Sequence, residues 1–353
     1  MSRVCAVSAA KNLCICLARY AANNHMLPHP NPRLKPPPLR PGDTVGIVAP
    51  GSPIKRDLLL AGCEGVRRLG YKPIYDDSIL DRDLYFAGSV RRRARELEKM
   101  FERDDVRAII CARGGYGTNY LLQELDLAKL RRHPKIFLGY SDVTTLLTWF
   151  TSAAGLVTFH GPMVTKDLAV PDGVHLASWN AALTAASAWD LTFSAGSEVK
   201  ALLEGQAEGT LYGGCLSMLA ASLGTPYEID PRDTILFMED VAAKPFQVDR
   251  MLMQLKLAGK LEGVRGVIFG EMLDCAPPGV ELDYTLEEVV TRVLRDLHIP
   301  VAYGLRSGHV TRENITLPLG VRCSLQANKD AVRLRLLESS VAPAGEAVRS
   351  AKL

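Results

Sequence analysis

Lys135-Ile136-Phe137-Leu138-Gly139-Tyr140-Ser141-Asp142-Val143-Thr144-Thr145-Leu146-Leu147 is the stretch on which the reading of this chain turns. An apolar run over residues 136–140 breaks at Gly-Tyr-Ser, and helix-like spacing begins at once. A strand that turns sharply into a helix exposes the side chain at the turn. It also aims the next backbone N–H at the place where an oxyanion would develop. Such a turn mounts a nucleophilic serine. The run departs from G-x-S-x-G, because Val143 stands where the last glycine would be, and a bare G-x-S also serves as a plain turn or a helix N-cap.

Outward from this stretch, strand and helix patterns alternate. Towards the N-terminus, residues 44–49 (TVGIVA) and 106–112 (VRAIICA) are continuous apolar strands, and 72–75 is a short one. Helical spacing covers 54–69 and 90–101, and a helix is expected at 119–125. On the other side, a helix covers 142–150 and a fourth buried strand 156–160. Buried strands alternating with helices predict a parallel sheet covered on both faces, with the ligand site beyond the strands' C-terminal ends. The loops Pro50-Gly51-Ser52-Pro53, Arg113-Gly114-Gly115-Tyr116-Gly117 and Tyr140-Ser141 all follow strand ends, so they fall on one rim.

Residues 166–205 read as an irregular crossover with an Ala-rich helical stretch at 176–188. A second segment begins near Glu208. Within it, 217–223, 247–261 and 286–297 have helical spacing. Residues 234–238, 266–270 and 301–304 are short apolar strands, and 321–337 alternates like a closing hairpin.

The length of 353 residues suits about two domains. The formal charge of +3 hides an asymmetry. Six of the 42 basic residues lie in residues 1–40, which hold no acid, so the remainder carries 36 basic against 39 acidic residues. The body offers no broad basic surface for nucleic acid. The eight cysteines are scattered with no C-x-x-C pair, which excludes a zinc knuckle and a redox motif and fits reduced thiols in a cytoplasmic protein. No apolar run approaches the ~18–20 residues that span a bilayer. The Pro-rich run over 26–41 is extended, and residues 1–38 are expected to be disordered or peripheral. As an export signal the N-terminus fits poorly, because Lys11 and Arg19 interrupt or flank a short apolar core; translation from Met26 is an alternative start.

A serine hydroxyl needs a base, and the base needs a group to orient it. His25 and His29 lie in the tail, His133 in a charged loop, His175 at the start of the Ala-rich stretch and His298 at a helix end. His160 and His309 follow buried strands and are the better candidates; either also reads as a core or loop anchor. Glu239 ends the strand 234–238, and Asp240 is free to cap the next helix. The order Ser141, Glu239, His309 is the nucleophile–acid–base order of α/β-hydrolases. The glycine loop fits neither Walker nor G-x-G-x-x-G spacing. It reads as an oxyanion donor loop or as a tight strand–helix turn.

Taken together, LRPGDTVGIVAPGSP (39–53), YFAGSVRRRARELEKMF (85–101), ICARGGYG (110–117), GYSDVT (139–144), FHGPM (159–163), EGTLYGGCLSMLAASLGTPY (208–227), ILFMEDV (235–241) with VDRMLMQL (248–255), GVIFGEM (266–272) and YGLRSGHVTRENITLPLG (303–320) resemble the LD-carboxypeptidases. These serine peptidases include the murein tetrapeptide carboxypeptidase and the microcin C immunity peptidases. The resemblance covers residues 36–338. It implies an α/β fold: a doubly wound N-terminal domain with a mostly parallel sheet, a smaller α/β C-terminal domain, and the active site in the cleft between them. On the chain this gives a nucleophile domain over 39–165, a crossover over 166–205, a C-terminal domain over 206–340 carrying Glu and His, and a polar tail over 341–353. It implies a Ser141–Glu239–His309 triad with the backbone N–H groups of Asp142 and Gly115 as oxyanion donors. It also implies no metal or cofactor, a murein peptide as substrate with release of D-alanine, a cytoplasmic location and a homodimer, with neither nucleic acid nor membrane as partner.

Two departures bear on substrate. Cys215 stands where many members have Asn after Gly-Gly, and Ala242-Ala243 stands where Gly-Glu is common. Arg113 is a candidate to hold the substrate's terminal carboxylate, or else an anchor for the glycine loop. The nearest alternative is an immunity-type peptidase cleaving aminoacyl-nucleotide toxins, for which Trp179 or Trp189 would stack on the base. A non-catalytic murein-peptide binder would need a broken triad. A nucleotide-binding oxidoreductase lacks its glycine fingerprint after residues 44–49.

Overall fold

A computed structural model describes residues 33–276 and 283–343. The expectations for residues 1–32, and for the polar tail beyond 343, lie outside the described residues. The first half runs β1 (Thr44–Val48), α1 (Arg56–Arg68), β2 (Lys72–Ile74), α2 (Val90–Glu102), β3 (Val106–Cys111), α3 (Leu127–Arg132), β4 (Ile136–Gly139), α4 (Thr144–Ala153) and β5 (Thr158–His160). The second half runs α5 (Leu176–Leu183), β6 (Trp189–Ser194), β7 (Lys200–Leu203), β8 (Gly205–Cys215), α6 (Leu216–Ala221), β9 (Thr234–Glu239), α7 (Pro245–Leu257), β10 (Gly266–Gly270), α8 (Leu286–Leu294), β11 (Val301–Leu305), β12 (Leu317–Leu319), β13 (Arg322–Ala327) and β14 (Ala331–Leu336).

Two sheets result. The first has the order β12-β5-β4-β3-β1-β2, parallel throughout except for β12, which runs antiparallel to β5. Its order reverses between β1 and β3, and the loops leaving such strands open a crevice at their C-terminal ends. The second has the order β6-β14-β13-β8-β9-β10-β11-β7, with β8 to β11 parallel at its centre and antiparallel strands at both edges. The expected mixed α/β fold with a mostly parallel first sheet is what forms.

Period-two alternation distributes the core. On β9, Ile235 and Phe237 face the large core shared with the first sheet, while Leu236 and Met238 face a second core under α7 and α8. The strand is buried on both sides and therefore reads as a continuous apolar run.

Three features differ from expectation. The crossover expected to be irregular contains β6 and β7, both joined to the second sheet. Trp189, Leu191 and Phe193 alternate with Asp190 and Thr192, but the Ala-rich run before them obscured the period. The second segment, expected to begin near Glu208, opens on an 11-residue strand, β8, that no strand expectation covered. Residues 33–38, expected to be peripheral, are tied down: Leu34 N–H donates to Gly155 O at 2.8 Å, and Lys35 pairs with Glu338 at 2.6 Å.

Helix α2 is amphipathic as expected, but two charged residues face inward. Arg93 is fully buried. Its guanidinium donates to the carbonyls of Gly88 (3.2 Å), Gly117 (2.8 Å) and Pro50, and it lies 4.9 Å over the Phe86 ring. It thus joins the loops after β1 and β3. One turn on, buried Glu96 accepts from Arg92 at 3.1 Å and from the Ala49 N–H at 3.4 Å. Burial pushes the Glu96 carboxyl up to about 7, against Arg92 and the Ala49 N–H, which favour the ion. The unfolded chain releases this proton near 4.5 and the folded one near 7, so stability is full below pH 4.5 and falls as pH rises to about 7. The loss is at most about 3 kcal/mol. Urea midpoints measured from pH 4.5 to 8 should show this decline in the wild type and a flatter profile in Glu96→Gln.

Candidate active site

Ser141 leaves β4 at φ +63°, in the left-handed region that a serine adopts only at a cost of about 1–2 kcal/mol. A short helical turn (Ser141–Val143) follows and runs into α4. The kink lifts the side chain off the sheet rim. It also leaves the Asp142 N–H at the start of a helical turn, where no preceding carbonyl takes it.

The loop after β3 closes over this turn. A Cβ at Gly114 would lie 2.9 Å from the Ser141 Cβ, so only glycine admits the approach. Gly115 has φ +90°, and a Cβ there would collide with Ser52. The Asp142 carboxylate accepts from the Thr118 N–H at 3.0 Å, and the Thr118 hydroxyl donates to Asp142 O at 2.6 Å. Nucleophile turn and glycine loop are thereby locked together.

From the second sheet, Glu239 ends β9 with no exposed surface. His309 sits on the loop after β11. Its Nδ1 lies 2.7 Å from Glu239 Oε2, and its backbone N–H donates to the same oxygen at 3.0 Å. The loop fits because Gly308, at φ +99°, lies flat against the carboxylate; a Cβ there would be 2.5 Å from Glu239 Cδ. Asn314 clamps Gly308 from both sides, accepting from its N–H and donating to its carbonyl, each at 3.0 Å. Burial alone would push the Glu239 carboxyl up, but the facing His309 and His160 outweigh it and hold it well below the usual range.

Ser141 and His309 line one cavity of about 280 Å³ together with Arg113, Gly114, Gly115, Tyr140 and Lys166. The structure therefore brings Ser141, Gly115, Arg113 and His309 to one space, with Glu239 directly behind the histidine. Arg113 is exposed at its edge and donates to Pro53 O at 3.3 Å. Cys215 is not among the cavity's lining residues. It is 4% exposed, lies opposite Glu239 in the β8–β9 register, and burial pushes its thiol well up. Its N–H donates to Thr144 Oγ1 at 3.0 Å, joining the two sheets beside the nucleophile turn.

Sequence reading passed over Asn314, Arg93 and the second histidine contact of Glu239. His160 ends β5, fully buried, with Nε2 3.6 Å from Glu239 Oε1. Arg93 acts through the carbonyls of Pro50 and Gly117, 43 and 24 positions away, and Asn314 through the backbone of Gly308 within its own loop, so only the clustering of polar types in 306–314 and 91–96 pointed to them. Among the described residues, no group of three or more His, Cys, Asp or Glu is placed to hold a metal ion.

Family models described as the LD-carboxypeptidase N-terminal domain and the LD-carboxypeptidase C-terminal domain match residues 45–161 and 208–325. The chain is 39% identical over 306 residues to a probable murein peptide carboxypeptidase of Bacillus subtilis (strain 168), covering 84% of this chain and 93% of the relative. A crystal structure of muramoyltetrapeptide carboxypeptidase from Oxalobacter formigenes superposes with TM-score 0.74 at 30% identity, covering 84% of this chain and 99% of that one. The structure of MccF in complex with glutamyl sulfamoyl guanosine superposes with TM-score 0.79 at 27% identity, covering 88% and 100%.

Proposed function

The chain belongs to the LD-carboxypeptidase family, and from that premise we propose a serine carboxypeptidase that hydrolyses the L,D bond releasing D-alanine from murein tetrapeptides. Peptidase activity follows from the family. The serine mechanism rests above all on the 2.7 Å Glu239–His309 bond standing behind a cavity that Ser141 and His309 line together. In this reading Ser141 Oγ attacks the peptide carbonyl while His309 Nε2 takes its proton. The Nδ1–H donated to Glu239 fixes the tautomer and stabilises the imidazolium. The N–H groups of Asp142 and Gly115 receive the oxyanion. His309 returns its proton to the departing amine, and water then releases the acyl group from Ser141.

Arg113 is assigned to the substrate's terminal carboxylate. A charge-assisted bond of this kind contributes about 1.5–3 kcal/mol. Arg113→Ala should therefore raise KM for the tetrapeptide roughly 10- to 100-fold with kcat little changed; an unchanged KM would leave the side chain as an anchor for Pro53 alone.

The decisive experiment incubates purified protein with a murein tetrapeptide ending in D-alanine and follows release by mass spectrometry. An aminoacyl-nucleotide is supplied in parallel, because the likeness to MccF supports an immunity-type peptidase as second reading. Against that reading, Trp179 is 1% exposed inside α5 and Trp189 lies in the sheet-edge strand β6, so neither is presented on a loop for base stacking. Turnover of the nucleotide alone would reverse the assignment. Cytoplasmic action as a homodimer belongs to the same proposal. The five described cysteines, all buried and unpaired, fit a reducing compartment. Among the described residues no helix is long and apolar enough to cross a membrane.

A further inference from the structure

The cavity beside Ser141 carries more positive charge than one substrate carboxylate uses. Its lining includes Lys55, Arg113 and Lys166 and no Asp or Glu. Among the described residues none of the three is ion-paired with a carboxylate. Arg113 donates to Pro53 O at 3.3 Å and Lys166 to Val310 O at 3.4 Å. The acids behind the walls are already engaged. Glu239 faces His309, and the Asp142 carboxylate accepts from the Thr118 N–H. The Asp167 carboxylate, which feels the charge of Lys166 without pairing with it, accepts from the Met163 N–H at 2.9 Å.

Local structure does not account for the two lysines. Lys55 is the N-cap of α1, a position that favours Ser, Thr, Asp or Asn. Its side chain makes no capping bond, and its charge stands at the positive end of the helix dipole. Lys166 leaves a segment that doubles back over the sheet rim, where the Thr165 N–H donates at 2.9 Å to the carbonyl of Ala112, the residue before Arg113. From there the two charged heads part. Arg113 turns to the loop after β1, whereas Lys166 passes over the Tyr140 ring, 5.7 Å from its centroid, to the residue after His309. One carboxylate on Arg113 therefore leaves Lys166 without a partner beside the catalytic histidine.

We propose that Lys166, with Lys55 lining the same cavity, is a specificity-determining residue that holds a second substrate carboxylate, the one on the side chain of the residue preceding the D-alanine. The inference rests on the functional reading above and deepens it to a choice of diamino acid. A side chain ending in an amine alone, as in lysine, would bring a fourth positive charge into a cavity lined by three. A side chain ending in an amine and a carboxylate together, as in diaminopimelate, is neutral overall and offers Lys166 a charge-assisted partner. The choice is then made by attraction to one substrate and repulsion of the other at the same place.

Two murein tetrapeptides that differ only at that residue, diaminopimelate against L-lysine, provide the test. The wild type should turn over the diaminopimelate peptide with a kcat/KM about 10-fold higher or more. Lys166→Met should lower that value about 10-fold, through KM, and raise the value for the lysine peptide, which no longer meets a like charge. Lys166→Arg keeps the charge and should keep the order of preference, and Lys55→Met should shrink the preference in the same direction as Lys166→Met. A fall of equal size for both peptides in Lys166→Met would set this lysine against a carboxylate common to both and overturn the proposal, as would a wild type without preference. Calorimetric binding to Ser141→Ala separates recognition from chemistry. Tighter binding of the diaminopimelate peptide, lost when Lys166→Met is added, in a chain whose wild type releases no D-alanine would keep the inference and reject the functional reading. D-Alanine released equally well from both peptides would keep the functional reading and reject the inference.

Discussion

Ser141→Ala is expected to lower kcat for D-alanine release by about 10⁴- to 10⁶-fold, the range found when a nucleophile is removed from a working triad. The residual rate would come from substrate held in the cavity beside the Asp142 and Gly115 N–H groups. Released D-alanine, followed by mass spectrometry, is the readout; equal release by wild type and variant would reject Ser141 as nucleophile. A second variant separates chemistry from folding. Ser141→Gly should lose the same activity yet match or exceed the wild type in thermal stability, because glycine adopts φ +63° without the cost a serine bears. Strain that is relieved without any gain in activity is what a site selected for chemistry predicts.

Glu239→Gln carries the second large effect. The side chain keeps its volume, but the carboxylate that accepts both His309 Nδ1–H and the His309 backbone N–H becomes a neutral amide. The amide then offers an N–H where an acceptor is needed, or presents one oxygen with no charge to stabilise the imidazolium. A fall in kcat of about 10⁴-fold is expected, with KM changed far less, since Glu239 is fully buried behind His309 and away from the cavity. Stability supplies an independent check. The folded Glu239 carboxyl lies below its ordinary 4.5, so its contribution is present above that value and is lost as pH falls through the folded value. Wild-type stability should therefore drop on acidification below pH 4.5, and Glu239→Gln should lose part of that acid sensitivity. Unchanged acid unfolding in the variant would mean that the carboxylate is not held as its two histidine contacts imply.

Local pattern determined a good deal of this protein. The break from apolar strand to helix at Gly139-Tyr140-Ser141 was legible because both periods are short and the turn falls between them. The same held for β1, β3, β4, β9 and β10, whose burial on both faces writes a continuous apolar run. Family motifs then marked Glu239 and His309 in order. The edge strands β6 and β7 were not legible, because one exposed face leaves only a weak alternation. The 11-residue β8 was hidden by Gly209, Gly213 and Gly214, which interrupt the apolar pattern but serve close packing, Gly214 against Thr144.

Which residues meet was decided only by the tertiary structure. Glu239 stands 70 positions from His309, and His160 stands 147 from Ser307. Those distances close because β12 leaves the loop after His309 to pair with β5, setting Leu317 opposite His160 at the rim of the first sheet. The same assembly turned Arg93 and Glu96 inward on a helix whose composition reads as solvated, and set Cys215 into the packing beside Glu239. A period of two or 3.6 residues reports which face of an element is buried. It carries no information about which distant backbone carbonyl or carboxylate that face will meet, because strand order and crossover direction set that, and they exist only once the sheets have formed.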